Sequence, residues 1–174
     1  MSKTLGNGVD PLEVIDKYGA DSLRFSVLSG TTLGNDIKYM PEKLDQASNF
    51  ANKIWNAAKF IISNLVDEKD INEFGKRVYN SETEEYDSSL LKIEDKWILN
   101  KLDKLVVDVT NNINSYELGI ALDNIYSFIW NEFCDWYIEI VKTRIYSESY
   151  EEKALVGMVL NYVFTTSLKL LHPF

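Results

Sequence analysis

The sequence predicts an all-α protein, an antiparallel helix bundle with a small helical segment at its N-terminal end. Long stretches carry apolar residues three and four positions apart, which places those residues on one face of a helix. The connections between most of these stretches are short, as in antiparallel bundles. No stretch alternates apolar and polar residues between hairpin turns, so strands are expected to be minor or absent. A length of 174 residues suits one ordinary domain, with or without a short appendage.

The N-terminal segment reads as a loop followed by two short helices. Residues 1–10 are small and polar with two glycines. Asp10 before Pro11 is typical of a helix start, with an N-cap followed by proline at the first helical position. Gly19 should end this helix, and a second should run from Ala20 to near Gly30. Residues 31–40 form a connector, which is the only domain boundary that the sequence suggests.

The bundle should begin at Pro41 with a helix of about six turns. A charged stretch, residues 67–88, follows and is expected to form a solvent-exposed connection between helices. Further helices are predicted over residues 90–113, 118–141 and 151–171. Three tryptophans lie in the apolar stripes and are expected in the core, whereas the position of Trp130 stays open. Those three are Trp55, Trp97 and Trp136.

Composition excludes several kinds of site. The single cysteine, Cys134, and single histidine, His172, cannot form a disulfide within the chain or a Cys/His zinc site. No metal site is therefore expected. No stretch is long and apolar enough to suggest a bilayer span, and no signal peptide is readable, which predicts a soluble, cytoplasmic protein without membrane partners. The net charge of −9 argues against a non-specific nucleic-acid binder.

Several motifs together resemble one enzyme family. The opening MSKTLGNGVDP resembles the Lys-Met-Ser-Lys-Ser loop of class I aminoacyl-tRNA synthetases and the Leu-Gly-Asn-x-x-Asp-Pro that follows it, with the first lysine missing and Thr4 at the last serine. IDKYGADSLRF at 15–25 is similar to the next block of that family. GNDI at 34–37 and NFANKIWNA at 49–57 resemble the valine enzymes. DKWIL at 95–99 and FCDWYIE at 133–139 recur across the subfamily.

The resemblance implies that residues 1–40 are the end of a catalytic region and residues 41–174 a truncated anticodon-binding bundle. Lys3 would be the catalytic lysine that stabilises charge on pyrophosphate, and Ser2 and Thr4 would help to hold ATP. ATP, with magnesium, would serve the complete enzyme, which is expected to be monomeric. The family's His-Ile-Gly-His motif cannot be present with one histidine. This chain alone is therefore expected to be inactive and to hold no cofactor.

The same resemblance implies tRNA-binding residues on the helix from Pro41. Asn56 and Lys59 are favoured, with Asn52 and Lys53 as weaker candidates. Asn52, Asn56 and Lys59 are four and three positions apart and so share a face. An asparagine amide can both donate to and accept from a base edge, and a lysine can meet a phosphate. The alternative is that all four are ordinary solvent-facing residues.

Two charged positions further along are also ambiguous. Lys142 and Arg144 could contact the anticodon stem, or they could complement the dipole at a helix C-terminus. Glu132, Asp135 and Glu139 could suggest a carboxylate or di-metal site, but no Glu-x-x-His accompanies them. A solvated or ion-paired helix face is the better interpretation.

The resemblance thus implies the anticodon-recognising part of a valine-specific synthetase, a ligase that activates valine with ATP and attaches it to its tRNA. The partner would be a valine tRNA and not DNA. One alternative is the isoleucine branch of the family. Another is a helical protein-interaction module, which would present a large exposed apolar groove.

Overall fold

The computed structural model describes residues 8–31, 34–35, 39–67, 69, 73, 75–76, 78–80, 85–87 and 89–174. These residues form helices with one two-stranded antiparallel pair, which confirms the all-α prediction. The helices are α1 (Pro11–Tyr18), α2 (Ala20–Leu28), α3 (Pro41–Asn64), α4 (Ile93–Asn114), α5 (Leu118–Ser127), α6 (Ile138–Ile145) and α7 (Tyr150–Leu171). A π-helical segment, Phe128–Tyr137, joins α5 to α6. Strands β1 (Tyr79–Asn80) and β2 (Glu85–Tyr86) pair Tyr79 with Tyr86.

The predicted start of α1 is confirmed in detail. Asp10 is the N-cap, and its carboxylate accepts a hydrogen bond from the Leu12 amide at 2.9 Å. Gly19 follows α1 with a φ of 86°, a conformation that costs glycine little, and α2 begins at the next residue. Proline at the first position likewise opens α3 at Pro41.

An aromatic cluster joins the N-terminal segment to the bundle. Phe25 of α2 lies 5.2 Å from Phe50 of α3, measured between ring centroids. Phe50 in turn lies 4.8 Å from Tyr126 of α5, and Tyr126 lies 5.6 Å from Trp130 of the π segment. The core therefore continues across the connector at 31–40, and the division of the chain at residue 40 remains an interpretation based on the resemblance.

Two of the tryptophan predictions are wrong. Trp55 is 66% exposed and Trp136 is 64% exposed, whereas Trp97 is partly buried against the core as predicted. Trp55 lies at the edge of the α3 stripe, beyond the buried line through Phe50, Ala57 and Ile61. Trp136 is turned outward because hydrogen bonds in a π segment span five residues, which shifts side chains away from α-helical periodicity.

The connector packs closely on α5 at Gly119. A Cβ atom added there would lie 2.3 Å from the Thr31 carbonyl oxygen. We expect Gly119→Ala to lower the free energy of unfolding by about 1–3 kcal/mol, because overpacking outweighs the gain in helix propensity. Urea unfolding would measure this, with Gly8→Ala as the control because an added Cβ at Gly8 has no neighbour within 4 Å. Equal stability of the two variants would contradict the prediction.

Helix α7 is long and apolar enough to cross a membrane when judged by length and composition alone. Half of its most apolar window is buried inside the bundle. It contacts α3, α4, α5 and α6. This is the arrangement of a core helix, and such helices pass the same test.

Candidate nucleic-acid interface

Of the candidate residues on α3, Lys53 contacts the π segment, and Asn52, Asn56 and Lys59 lie on the exposed part of the helix beside it. We call this surface the seam. Counting 100° per residue along α3, Asn56 lies roughly 60° from Lys53, whereas Asn52 and Lys59 lie roughly 100° and 120° from it, opposite the buried stripe and nearer to Trp55. The contacts of the seam across the helices are made by Lys53, Phe60, Trp130, Asp135, Glu139 and Lys142, and we include in the seam the exposed Asn52, Asn56 and Lys59 beside them on α3.

Lys53 is held in place from two sides. Its ammonium lies 3.9 Å from the centroid of the Trp130 ring and 2.5 Å from the Asp135 carboxylate. A cation over a tryptophan face is stabilised by about 0.5–2 kcal/mol, depending on its solvation. The side chain is 22% exposed, so the charge is fixed at the surface.

Lys142 also pairs with a carboxylate and lies near an aromatic ring, but its carboxylate partner is only three residues away in the chain. Its ammonium donates to both carboxylate oxygens of Glu139, at 2.6 and 2.7 Å, and lies 5.8 Å from the Phe60 ring centroid. Lys142 also stands in the last turn of α6, where a positive charge complements the helix dipole. Both predicted roles of this residue are compatible with its position.

Asn52, Asn56 and Lys59 are exposed on α3. Lys59 has no ion-pair partner among the residues that the structure describes. The seam thus offers two amides, each able to donate and accept, beside the Lys59 ammonium and two ammonium groups that are paired with carboxylates. This set can hydrogen-bond base edges and meet backbone phosphates.

Arg144 lies apart from this surface. It is 6% exposed, and its guanidinium bonds the carboxylates of Glu94 at 2.9 Å, Asp95 at 2.8 Å and Glu152 at 2.6 Å. Burial tends to lower the pKa of Arg144, but its hydrogen bonds to Asp95 and Glu152 outweigh that effect and raise it. The predicted stem contact is not supported by this placement, because the charge is buried and paired.

The buried network also contains Tyr137, whose hydroxyl donates to Asp95 at 2.7 Å. Burial, together with the Asp95 charge, raises the pKa of Tyr137. Asp95 accepts a further bond from the Lys92 amide and has no exposed surface. These contacts tie α4, the π segment, α6 and α7 together.

The acidic residues of the π segment and α6 are ion-paired, as predicted. Glu132 pairs with Lys101 at 3.0 Å, and Asp135 and Glu139 pair with the seam lysines. Within the described ranges, no group of three or more histidine, cysteine, aspartate or glutamate residues is placed to hold a metal ion. Burial raises the pKa of the nearby Cys134 thiol to about 11, so the thiol stays protonated at neutral pH.

The predicted ATP contacts, Ser2, Lys3 and Thr4, lie outside the described residues. Their roles remain predictions from the resemblance.

An apolar groove of about 510 Å³ lies on the other side of α3, between α2, α3 and α7. Its walls include Phe25, Ile54, Trp55, Phe164 and Phe174. The alternative of a protein-interaction module predicted a groove of this kind, so geometry alone does not decide between the two hypotheses.

Comparison with known proteins decides the family. Residues 1–40 match the model for class I tRNA synthetases (I, L, M and V), and residues 95–174 match the model for the anticodon-binding domain of tRNA ligase. Over 99% of its length, the chain is 51% identical to the valine–tRNA ligase of Clostridium acetobutylicum and 49% identical to that of Clostridium perfringens. It is 44% identical over its whole length to the valine–tRNA ligase of Listeria innocua. The chain belongs to the valine–tRNA ligase family.

This membership favours the valine branch over the isoleucine branch and over the interaction module. The chain spans about 18% of the length of these valine–tRNA ligases. Its residues match a class I synthetase region at 1–40 and an anticodon-binding domain at 95–174.

Sequence reasoning missed the pairing of the seam lysines. The sequence predicts that Asp135 lies on a solvated or ion-paired face, but its partner Lys53 lies 82 positions away and could not be identified. The sequence leaves open whether Trp130 is buried, although its ring is the surface that the Lys53 ammonium contacts. The acidic and aromatic residues that adjoin each other in the π segment could have suggested a site for a cation. Their partner, Lys53, is identified only by the packing of α3 on the π segment.

Proposed function

We propose that this chain acts within a valine–tRNA ligase, which uses ATP and magnesium to join valine to its tRNA in the cytoplasm, and that the seam recognises the anticodon of valine tRNA. The observation that carries this proposal is the set of exposed amides and of exposed or half-buried lysines at the seam of an anticodon-binding bundle. Single-stranded bases in a loop are read along their edges by such groups. We further propose that the complete enzyme is monomeric.

The side chains of the seam divide into two roles. Asn56 and Asn52 would hydrogen-bond base edges, since each amide both donates and accepts. Lys59, Lys53 and Lys142 would contact phosphates of the anticodon loop and stem. Arg144 is left out of this proposal because its charge is already matched by buried carboxylates.

The ATP loop is proposed from the resemblance alone. Lys3 would place an ammonium over the oxygens of departing pyrophosphate, where it would stabilise the charge that develops as valine is activated. Ser2 and Thr4 would help to hold the loop against ATP. We expect no activation of valine by this chain in isolation, because the matched catalytic-family region covers only residues 1–40.

Binding to anticodon stem-loops tests the proposal. The chain should prefer a valine stem-loop over isoleucine and scrambled ones in low salt, measured by fluorescence anisotropy. Asn56→Ala should weaken valine binding by about 1 kcal/mol, roughly fivefold, through loss of a base-edge hydrogen bond. Lys59→Ala should reduce the slope of log affinity against log salt by about 0.7–0.9.

Matched controls come from α4. Asn111 and Lys104 are exposed there, away from the seam, and Asn111→Ala and Lys104→Ala should change neither quantity. Equal binding of wild type to all three stem-loops would refute anticodon recognition by the isolated bundle. Equal effects of the seam and control variants would refute the assignment of the site.

A further inference from the structure

Both paired lysines of the seam have their charge balanced by a carboxylate. Asp135 bonds Lys53, and Glu139 bonds Lys142 through both of its oxygens. The candidate RNA surface is therefore not a bare positive patch. This agrees with the overall charge of −9, which disfavours phosphate-driven binding.

In each pair the carboxylate is the more exposed partner. The Asp135 side chain is 49% exposed against 22% for Lys53, and the Glu139 side chain is 57% exposed against 37% for Lys142. A phosphate that approaches from solvent therefore meets an exposed negative charge beside each ammonium. To bind the lysine it must displace the carboxylate, which then stays nearby as an unpaired like charge.

We propose that Asp135 and Glu139 are specificity-determining residues that reject RNA offering only phosphate charge. The inference rests on the proposed function, since it assumes that RNA binds at the seam. A released carboxylate can accept a hydrogen bond from the exocyclic amino group of a base, as acidic side chains accept from cytosine. RNA that presents such an amino group recovers the displaced interaction, whereas uracil has no amino group and cannot.

The exchange is feasible because exposed ion pairs are weak. Such a pair holds its lysine only modestly, so RNA with suitable base contacts can open it. Trp130 stays beneath Lys53 throughout and keeps the ammonium at the surface while it changes partners. Asp135 is the stronger test position because its lysine is fixed by this second contact.

The experiment compares oligo(U) RNA with the valine anticodon stem-loop, using the chain as wild type, Asp135→Asn and Glu139→Gln. Glu132→Gln is the matched control, since it removes a carboxylate that pairs with Lys101 at 3.0 Å, outside the seam, with the same change in net charge. Asp135→Asn should bind oligo(U) about three- to fivefold more tightly than the control does. Its salt slope on oligo(U) should steepen by about 0.7 for the freed lysine. Glu139→Gln should change both quantities in the same directions.

The stem-loop should gain less than oligo(U), so that the ratio of the two affinities falls in Asp135→Asn. The inference is overturned if Asp135→Asn and Glu132→Gln behave alike, or if Asp135→Asn weakens both RNAs, which would make Asp135 a support for Lys53. Failure of the proposed function has a different signature, because wild type would then not distinguish the valine stem-loop from a scrambled one. In that case the oligo(U) comparison still decides whether the carboxylates oppose phosphate binding.

Discussion

Replacing Arg144 by methionine should lower the free energy of unfolding by about 3–5 kcal/mol. The substitution preserves much of the side-chain volume but leaves Asp95, which has no exposed surface, as a buried carboxylate without its cation. Glu94 and Glu152 lose the same partner. Removing one partner of a buried ion pair is costly because the remaining charge stays desolvated.

Urea unfolding would measure this loss, with Lys101→Met as the control. That variant breaks the more exposed pair with Glu132 and should cost less than about 1 kcal/mol. Adding Asp95→Asn to Arg144→Met should recover part of the stability, since the amide removes the buried charge and can still accept from Tyr137. Similar losses in Arg144→Met and Lys101→Met would show that the buried network contributes little.

The same network predicts a pH dependence. Burial tends to raise the pKa of Glu152, but hydrogen bonds from Arg144 and Lys92 outweigh it and hold the pKa below the ordinary value of 4.5. A carboxylate with a lowered pKa in the folded state stabilises the protein above its unfolded pKa, and this contribution is lost as pH falls through the folded pKa. Wild type should therefore lose stability below about pH 4.5, and Arg144→Met should lose less over that range. Parallel pH profiles would contradict the assignment.

Phe50→Ala should also destabilise the protein by about 3–5 kcal/mol. Phe50 is 2% exposed and contacts rings from α2, α5 and the π segment. Its removal leaves a cavity where the N-terminal segment meets the bundle. Because Trp130 is one of these rings, the variant should also loosen the surface that carries Lys53.

Hydrogen exchange would distinguish this local effect from general destabilisation. Amides of α1 and α2 should exchange faster in Phe50→Ala than in wild type, relative to those of α4 and α7. Phe50→Leu fills more of the cavity and should lose less stability. Uniform acceleration across all helices would show that Phe50 supports the bundle as a whole and does not specifically join α2 to it.

Local chemistry made much of this fold predictable. Asp10 with Pro11, and Pro41, mark helix starts through interactions within a few residues, and the three- and four-residue spacing gives the buried face of α3. The position of Arg144 could not be predicted in this way, because its partners Glu94 and Asp95 lie 50 and 49 positions away. The same holds for Lys53 and Asp135.

The tryptophans show a second limit. Hydrophobic periodicity indicates which side of a helix is buried but not how wide the buried stripe is. Trp55 lies just outside the stripe of α3, so the prediction that it is buried was wrong. Trp136 was misplaced because the sequence carries no visible mark of a π segment. The sequence indicates which residue types could form the candidate site, which stays a prediction, whereas the ion pairs around its lysines depend on the tertiary structure.

The π segment determines how α6 is rotated about its axis relative to α5. The Ile138 amide bonds back to the Phe133 carbonyl, five residues earlier, so this stretch contains more residues per turn than an α-helix. If this stretch rewound as ordinary α-helix with all its residues, each residue would turn further about the axis, and α6 would be rotated relative to α5. Arg144 would then swing away from Glu94 and Asp95, and Lys142 would leave Phe60. The π segment therefore fixes the rotation of α6 about its axis, so that one side of α6 faces the buried acids and another side faces the seam.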